Sequence, residues 1–211
     1  VELGRHAHGL ESELSGILAK AKLCPAPNTP MHSLTIAFLV ALLAHLALQV
    51  WLARRQIAHV MAHRGNRVLC PENTLASFSK AFLEGADILE TDLHLSADGV
   101  FMCIHDATVD RTTDGSGPVA EKTIAELKAL SASYGFCGYE NERIPTLAET
   151  ASILPADVAL ALELKTDRFL EPEICSRLAS ELRAAGIFER TIVLSFSLPR
   201  LQAVQAVEPA I

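Results

Sequence analysis

The sequence predicts an α/β fold built from parallel βα units, and three observations support this prediction. Strand-like and helix-like patterns alternate from residue 57 onward. Several helical patterns have recognisable ends, such as a capping-box pair at Thr123 and Glu126 and a closing glycine at Gly186. Charged side chains and imidazoles recur where the strand-like runs end, the position at which parallel α/β sheets bind their ligands.

Three regions follow from the composition along the chain. Residues 1–33 are polar and proline-rich, which predicts a tail or linker. Residues 34–53 form an almost uninterrupted apolar run, broken by His45 and Gln49, that is long enough to span a bilayer as a helix. A buried core helix and a cleaved signal peptide are the alternatives for this run. Residues 58–211 are predicted to be the globular, function-bearing domain.

The apolar run predicts a membrane partner and a location. If translation starts at Met31, the basic flank of the run is the arginine pair Arg54 and Arg55 on its C-terminal side, which favours a cytoplasmic domain on a membrane anchor. If the run is a signal peptide, the domain is exported to the periplasm instead.

The periodicity places five strands and five helices after the apolar run. The predicted strands are Ala58–Ala62, Ile88–Leu95, Val100–His105, Val158–Lys165 and Thr191–Phe196. The predicted helices are Asn73–Gly85, Thr123–Ala132, Thr146–Leu154, Glu171–Gly186 and Leu198–Val207. The dipeptide Asp98-Gly99 is a tight-turn signal, so the second and third strands are expected to be joined with little or no helix.

Composition excludes some classes of function. The net charge is −7, and no basic patch with interleaved aromatic residues occurs, so a nucleic-acid partner is not expected. The five cysteines show no CxxC pair or other metal-ligand spacing, which predicts free thiols.

The first candidate residues for chemistry lie where the first strand gives way to a loop. His63 offers an imidazole that exchanges protons near neutral pH, and Arg64 offers a permanent cation able to grip a phosphate with two donors. Glu72 and Asn73, in the following loop, are predicted to brace the site rather than to carry chemistry.

A carboxylate cluster is predicted from two other strands. Glu90 and Asp92 are two residues apart in a strand and therefore share one face, where two buried acids need a compensating cation. Glu163 and Lys165 repeat this spacing at the end of the fourth strand. Three carboxylates are suitable ligands for Mg²⁺ or Ca²⁺, and Lys165 is placed to hold a phosphate oxygen.

His105 supplies a second imidazole at a strand end. Cleavage of a phosphodiester requires one proton to be taken from the attacking oxygen and one to be given to the leaving alkoxide. A pair of imidazoles, such as His63 and His105, beside a divalent cation suits both tasks.

These motifs in this order resemble the glycerophosphodiester phosphodiesterase family. The resemblance is carried by HRG and PENT at residues 63–65 and 71–74, ExD at 90–92, HD at 105–106 and ExK at 163–165, with DRTTDGSG and IPTLAET between them. It implies a TIM (β/α)₈ barrel, of which about five of the eight βα units are expected here. It also implies metal-dependent hydrolysis of glycerophosphodiesters to glycerol 3-phosphate and an alcohol. In this interpretation Glu90, Asp92 and Glu163 bind the metal, and Arg64 and Lys165 contact the phosphate. We assign His63 as the base and His105 as the acid that protonates the leaving alcohol.

Two other functions are compatible with the same motifs. The chain could be an inactive, membrane-tethered fragment of such an enzyme, or a related phosphodiesterase acting on lysophospholipids or sphingolipids. The C-terminal barrel strands of the family have no counterpart before residue 211, so a truncated reading frame is expected.

Overall fold

The computed structural model describes residues 59–210, together with residues 39, 42, 43, 45 and 46, which are helical. The chain divides into two units at Ile57. No helix among the described residues is long and apolar enough to cross a membrane. The predicted tail and most of the predicted membrane helix, residues 34–53, lie outside the described part of the chain.

The part of the chain from residue 59 onward folds as alternating strands and helices, as the periodicity predicts. The strands are β1 (Met61–His63), β2 (Ile88–Leu95), β3 (Phe101–Cys103), β4 (Ala159–Leu164) and β5 (Thr191–Leu194). The helices are α1 (Leu75–Leu83), α2 (Ile124–Ala129), α3 (Leu147–Ile153), α4 (Pro172–Ala184) and α5 (Leu198–Val207), and short 3₁₀ turns cover Val119–Glu121, Asp167–Leu170 and Phe188–Arg190.

Threonine N-caps begin three of these helices. Thr74, Thr123 and Thr146 each accept a hydrogen bond from the backbone N–H three residues on, and the side chain at that position bonds back to the cap. The capping box predicted at Thr123 and Glu126 is therefore confirmed. Each such cap satisfies backbone donors that the first helical turn leaves unpaired.

Four strands form a parallel sheet in the order β1-β2-β4-β5. The register sets His63 beside Glu90 and Asp92 beside Glu163. Parallel alignment brings the C-terminal ends of the strands to one edge of the sheet, and the predicted chemical groups lie along that edge.

The third strand is not one of the parallel βα units; as the tight-turn signal at Asp98-Gly99 predicts, it follows the second strand with no helix between them. β3 pairs antiparallel with the C-terminal half of β2, because the turn at Asp98-Gly99 reverses the chain at once. Gly99 has φ +82°, a conformation that glycine adopts without steric cost. The parallel strands among the described residues are therefore four rather than five, and β3 is a hairpin arm on β2.

This hairpin decides where His105 lies. β1 and β3 both pair with the edge of β2 opposite β4, and they run in opposite directions, so their C-terminal ends point toward each other. The Ile104 N–H bonds to the Asp92 carbonyl just beyond β3. His105 was predicted to end the third strand at the rim where His63 lies; it lies two residues beyond β3 and reaches that rim by this antiparallel return.

The core lies on the face of the sheet opposite the carboxylates. Alternate residues of β2 and β4, among them Leu89, Leu93, Leu160 and Leu162, are fully buried against the helices. Burying a leucine side chain stabilises the fold by about 1.5–3 kcal/mol. A second apolar cluster underlies the excursion between β3 and β4; it consists of Met102, Ile104, Val109, Val119, Leu127, Ala132 and Ile144.

Candidate active site

Three carboxylates converge at the C-terminal edge of the sheet. Glu90 and Asp92 lie on the same face of β2, and the β2–β4 register places Glu163 opposite Asp92. One oxygen from each lies within 4.8 Å of the others. All three residues are less than a tenth exposed to solvent. The cluster predicted from two i, i+2 pairs is therefore assembled by the fold.

The cluster holds more negative charge than its surroundings neutralise. Burial, followed by the neighbouring charge of Asp92, raises the pKa of Glu90 to about 7. The Oδ1 atom of Asp92 is buried and has no hydrogen-bond partner among the described residues. Lys165, whose Nζ lies 3.1 Å from Glu163 Oε1 and 3.6 Å from Asp92 Oδ1, supplies part of the compensating charge.

A divalent cation fits this arrangement. Mg²⁺ and Ca²⁺ take hard oxygen ligands, and the cluster offers three carboxylate oxygens close together, while Asp92 Oδ1 has no hydrogen-bond partner among the described residues. A bound dication would also favour the ionised form of Glu90 that burial disfavours. Of the residues that the structure describes, Glu90, Asp92 and Glu163 are the group with this geometry.

Arg64 and Asn73 hold Asp92 from the side of the preceding loops. The Nε atom of Arg64 lies 3.3 Å from Asp92 Oδ2, and the Asn73 side-chain amide donates to the same oxygen at 3.0 Å. Both residues have positive φ angles, 59° for Arg64 and 52° for Asn73. Such backbone strain persists only where the surroundings enforce it, here through the bond from the Asn73 N–H to the Arg64 carbonyl.

His63 lies at the open side of the cluster. Its Nε2 is 3.8 Å from Glu90 Oε2, and about half of its side chain is exposed. Burial of the rest of the ring, together with the charges of Arg64 and Arg67, lowers the pKa of His63 below its usual value. A lowered pKa keeps the imidazole neutral near pH 7, which is the form able to accept a proton.

His105 is held by a chain of polar contacts. Its Nδ1 lies 2.6 Å from Asp106 Oδ1, and Arg111 donates to both oxygens of Asp106, at 2.6 Å and 3.2 Å. Hydrogen bonding from Arg111 lowers the pKa of Asp106 to about 2, so the carboxylate is ionised at neutral pH. A third contact fixes the backbone, since His94 Nε2 lies 3.2 Å from the His105 carbonyl oxygen.

Glu72 joins the two arginines of the site. It accepts from Arg64 Nη1 at 3.1 Å and from Arg111 Nη2 at 2.7 Å. Burial opposes its ionisation, but the hydrogen bond and charge of Arg111, helped by Arg64, outweigh that effect and lower the pKa of Glu72. Glu72 and Asn73 thus lie where a bracing role requires them to lie.

Sequence reasoning missed Arg111, Asp106 as a partner of His105, and His94. Arg111 lies in an irregular polar loop, where no periodicity shows which way a side chain points. The available signal was the run of three charged residues, Asp106, Asp110 and Arg111, close behind His105, which indicates a charged loop but not its partners.

Comparison with protein families agrees with the motifs. Residues 63–210 match the model of the glycerophosphoryl diester phosphodiesterase family. The chain belongs to this family. The matched residues begin at His63 and include every residue of the candidate site described above.

Relatives of this phosphodiesterase family member come from bacteria and mammals. A glycerophosphodiester phosphodiesterase of Caldanaerobacter subterraneus is 40% identical over 152 residues, which cover 71% of this chain and 63% of that protein. The human glycerophosphodiester phosphodiesterase 1 is 32% identical, with 71% of this chain and 46% of the human protein covered. The chain therefore spans about half to two thirds of the length of these relatives.

Solved structures of family members share the fold. A phosphodiesterase from Oleispira antarctica, solved with its product sn-glycerol-3-phosphate, is 35% identical with a TM-score of 0.66, covering 74% of this chain and 65% of that one. A glycerophosphodiester phosphodiesterase from Agrobacterium tumefaciens is 33% identical with a TM-score of 0.65, covering 72% and 64%. The four parallel strands thus resemble part of the barrel in these enzymes.

Proposed function

We propose that residues 58–211 carry the catalytic site of a metal-dependent phosphodiesterase that hydrolyses glycerophosphodiesters to glycerol 3-phosphate and an alcohol. The observation that supports this most directly is the buried cluster of Glu90, Asp92 and Glu163, with the His63 imidazole 3.8 Å from Glu90. The name and bound product of the Oleispira relative support the same substrate class.

Glu90, Asp92 and Glu163 would hold the cation, Mg²⁺ or Ca²⁺. When bound, the cation supplies charge that stabilises the phosphoryl oxygens as the reaction proceeds. Lys165, beside Glu163, is placed to bind another phosphoryl oxygen. Arg64 is assigned to the phosphate as well, while its contacts with Asp92 and Glu72 fix where its guanidinium lies.

His63 takes the proton of the attacking oxygen, and His105 donates a proton to the leaving alkoxide. The lowered pKa of His63 favours the neutral base. The Asp106 carboxylate lies 2.6 Å from Nδ1 of His105 and accepts a hydrogen bond from it, which leaves Nε2 as the ring nitrogen that exchanges a proton with the substrate.

The test is release of glycerol 3-phosphate from glycerophosphocholine. We expect activity in the purified 211-residue chain with Mg²⁺ or Ca²⁺, and its loss with a chelator and in His63→Ala or Glu90→Ala. Glu189→Ala, an exposed carboxylate outside the site, serves as the matched control. Equal rates with and without chelator would contradict metal dependence, and an inert, folded chain would favour the inactive alternative.

Membrane attachment through residues 34–53, a cytoplasmic location and action on lysophospholipids are further proposals that rest on the sequence. Comparing glycerophosphocholine with lysophosphatidylcholine separates the two substrates. Fractionation of cells expressing the chain with and without residues 34–53 separates an anchored domain from a free one.

A further inference from the structure

Arg111 contacts three groups of the site at once. Its Nε and Nη2 atoms form a two-pronged bond with the Asp106 carboxylate, and Nη2 also donates to Glu72 Oε1 at 2.7 Å. The guanidinium carbon lies 5.5 Å from the centre of the Tyr134 ring. A planar guanidinium held on two carboxylates and one aromatic face has little freedom to move.

Asp106 transmits this rigidity to His105. Its Oδ1 atom lies 2.6 Å from Nδ1 of His105, and a carboxylate accepts a hydrogen bond there, so the proton on Nδ1 is fixed. The other ring nitrogen, Nε2, is then the one that exchanges a proton with the substrate. Because Asp106 is itself about a third exposed, water would compete for its oxygens if Arg111 did not bind them.

We infer that Arg111 is a positioning residue that orients His105, through Asp106, for proton donation to the leaving alcohol. The inference rests on the proposed function and assigns a role to a residue whose contacts are Asp106, Glu72 and Tyr134. In the step concerned, the attacking oxygen forms its bond to phosphorus and gives its proton to His63, while the bond between phosphorus and the leaving oxygen breaks and its electron pair stays on the leaving oxygen. The proton passes from Nε2 of His105 to the leaving oxygen, while the proton on Nδ1 stays hydrogen-bonded to Asp106.

The contact with Glu72 gives Arg111 a second connection, to Arg64. Glu72 accepts from both arginines, so loss of Arg111 would also loosen Arg64. The two connections have different kinetic consequences. Misplacing Arg64 affects any substrate with this phosphate, whereas misplacing His105 affects only substrates whose leaving group needs a proton.

Leaving-group dependence therefore tests the inference. Glycerophosphocholine releases an alkoxide that must be protonated, whereas the p-nitrophenyl ester of glycerol phosphate releases a phenolate that needs no proton. We expect Arg111→Met to lower kcat on glycerophosphocholine by about 10²-fold. The factor by which it lowers kcat on the nitrophenyl ester should be at least about tenfold smaller. Asp106→Asn should change the ratio of the two kcat values in the same direction.

Three further variants complete the experiment. Arg111→Lys keeps the charge without the two-pronged geometry, so its ratio should lie between those of the wild type and Arg111→Met; it also tests the inference if the methionine variant does not fold. Glu72→Gln should lower both kcat values by the same factor. Arg183→Met is the matched control, because Arg183 also binds a carboxylate, that of Glu208, and lies over an aromatic ring, that of Phe188.

The outcomes separate the inference from the proposed function. If the wild type hydrolyses neither substrate, the proposed function fails and the inference fails with it. If the wild type hydrolyses both, and Arg111→Met and Arg111→Lys lower both kcat values by one common factor, Arg111 does not act through His105 and the proposed function stands. A ratio that changes in Arg183→Met as well would also overturn the inference, because the change would then be nonspecific.

Discussion

The side-chain amide of Asn73 donates to Asp92 Oδ2 at 3.0 Å, which ties the loop after β1 to the carboxylate cluster on β2. The same amide group accepts from the Thr91 hydroxyl at 2.8 Å, so the orientation of Asn73 is set from both ends. Asp92 is fully buried, and of its two oxygens only the one facing Asn73 has a hydrogen bond among the described residues. The bond therefore helps to fix the orientation of the Asp92 carboxylate.

Replacing Asn73 should weaken metal binding in two variants that differ in backbone strain. Both Asn73→Ala and Asn73→Gly remove the amide, and we expect metal affinity to fall by about 10–100-fold in each. Asn73 has φ +52°, which alanine adopts at a cost of about 1 kcal/mol and glycine does not. Beyond the loss caused by removing the amide, only Asn73→Ala should therefore lose stability through backbone strain. Calorimetric titration with Ca²⁺ and urea unfolding measure the two effects; an unchanged metal affinity in Asn73→Gly would contradict the role of the amide.

Glu90→Gln should stabilise the metal-free protein at alkaline pH. The folded-state pKa of Glu90, about 7, lies above its ordinary value of 4.5, so the folded chain holds a proton that the unfolded chain has lost between these values. Stability from this group is complete below pH 4.5 and is lost as pH rises toward 7, by on the order of 3 kcal/mol. Glutamine cannot ionise and avoids that loss.

The measurement is the thermal midpoint of the chelator-treated protein at pH 5 and pH 8. The advantage of Glu90→Gln over the wild type should be larger at pH 8, and adding Ca²⁺ should raise the midpoint of the wild type far more than that of the variant. Glu189→Gln, at an exposed site, is the control. A difference between wild type and variant that does not depend on pH would show that ionised Glu90 is not destabilising.

The sequence predicted the carboxylate cluster because strands have a strict period of two residues. Glu90 and Asp92 had to share a face, and parallel pairing had to bring Glu163 to the same edge. The strands and helix caps were also visible in the sequence, because each depends on residues that are close together along the chain. The family resemblance then supplied roles that periodicity alone leaves open.

The direction of β3 follows from the tight-turn signal at Asp98-Gly99, because so short a connection joins antiparallel strands. The network around Arg111 was not predictable in this way. Arg111 lies in a loop whose path is set by contacts distant in sequence, such as the one with Glu72, 39 residues earlier. Such contacts appear only when the chain is folded.

Lys165→Met should separate phosphate binding from metal binding. The Nζ atom of Lys165 lies close to Glu163 and Asp92, so it competes with a cation for their oxygens while offering a donor to phosphate. We expect the affinity for glycerol 3-phosphate to fall by about tenfold or more, as for the loss of a hydrogen bond to a charged group. The affinity for Ca²⁺ in the absence of phosphate should be unchanged or higher.

Calorimetry with each ligand separately measures both affinities. Lys128→Met is the control, because Lys128 also pairs with a glutamate, Glu149, away from the cluster. A parallel loss of both affinities in Lys165→Met would mean that the lysine supports the shape of the site instead of binding phosphate.

Gly65→Ala should disrupt the loop that carries Arg64, and Gly135→Ala gives a matched comparison. The two glycines have nearly the same φ, +76° and +77°, so alanine costs each about 1–2 kcal/mol in backbone strain. At Gly135 nothing lies within 4 Å of an added Cβ, whereas at Gly65 the Cβ would lie 2.7 Å from the Ser77 carbonyl carbon. The backbone at residue 77 cannot withdraw easily, because its carbonyl accepts from the Asn66 N–H and its hydroxyl donates to the Arg64 carbonyl.

The loss of stability in Gly65→Ala should therefore exceed that in Gly135→Ala by at least the usual cost of overpacking, about 1–3 kcal/mol. Urea unfolding of both variants measures the difference, and any folded Gly65→Ala should bind Ca²⁺ more weakly because Arg64 and Asn73 are displaced together. Equal losses in the two variants would mean that the loop moves aside freely. In that case the close packing of Gly65 on α1 would not be what fixes Arg64 against Asp92.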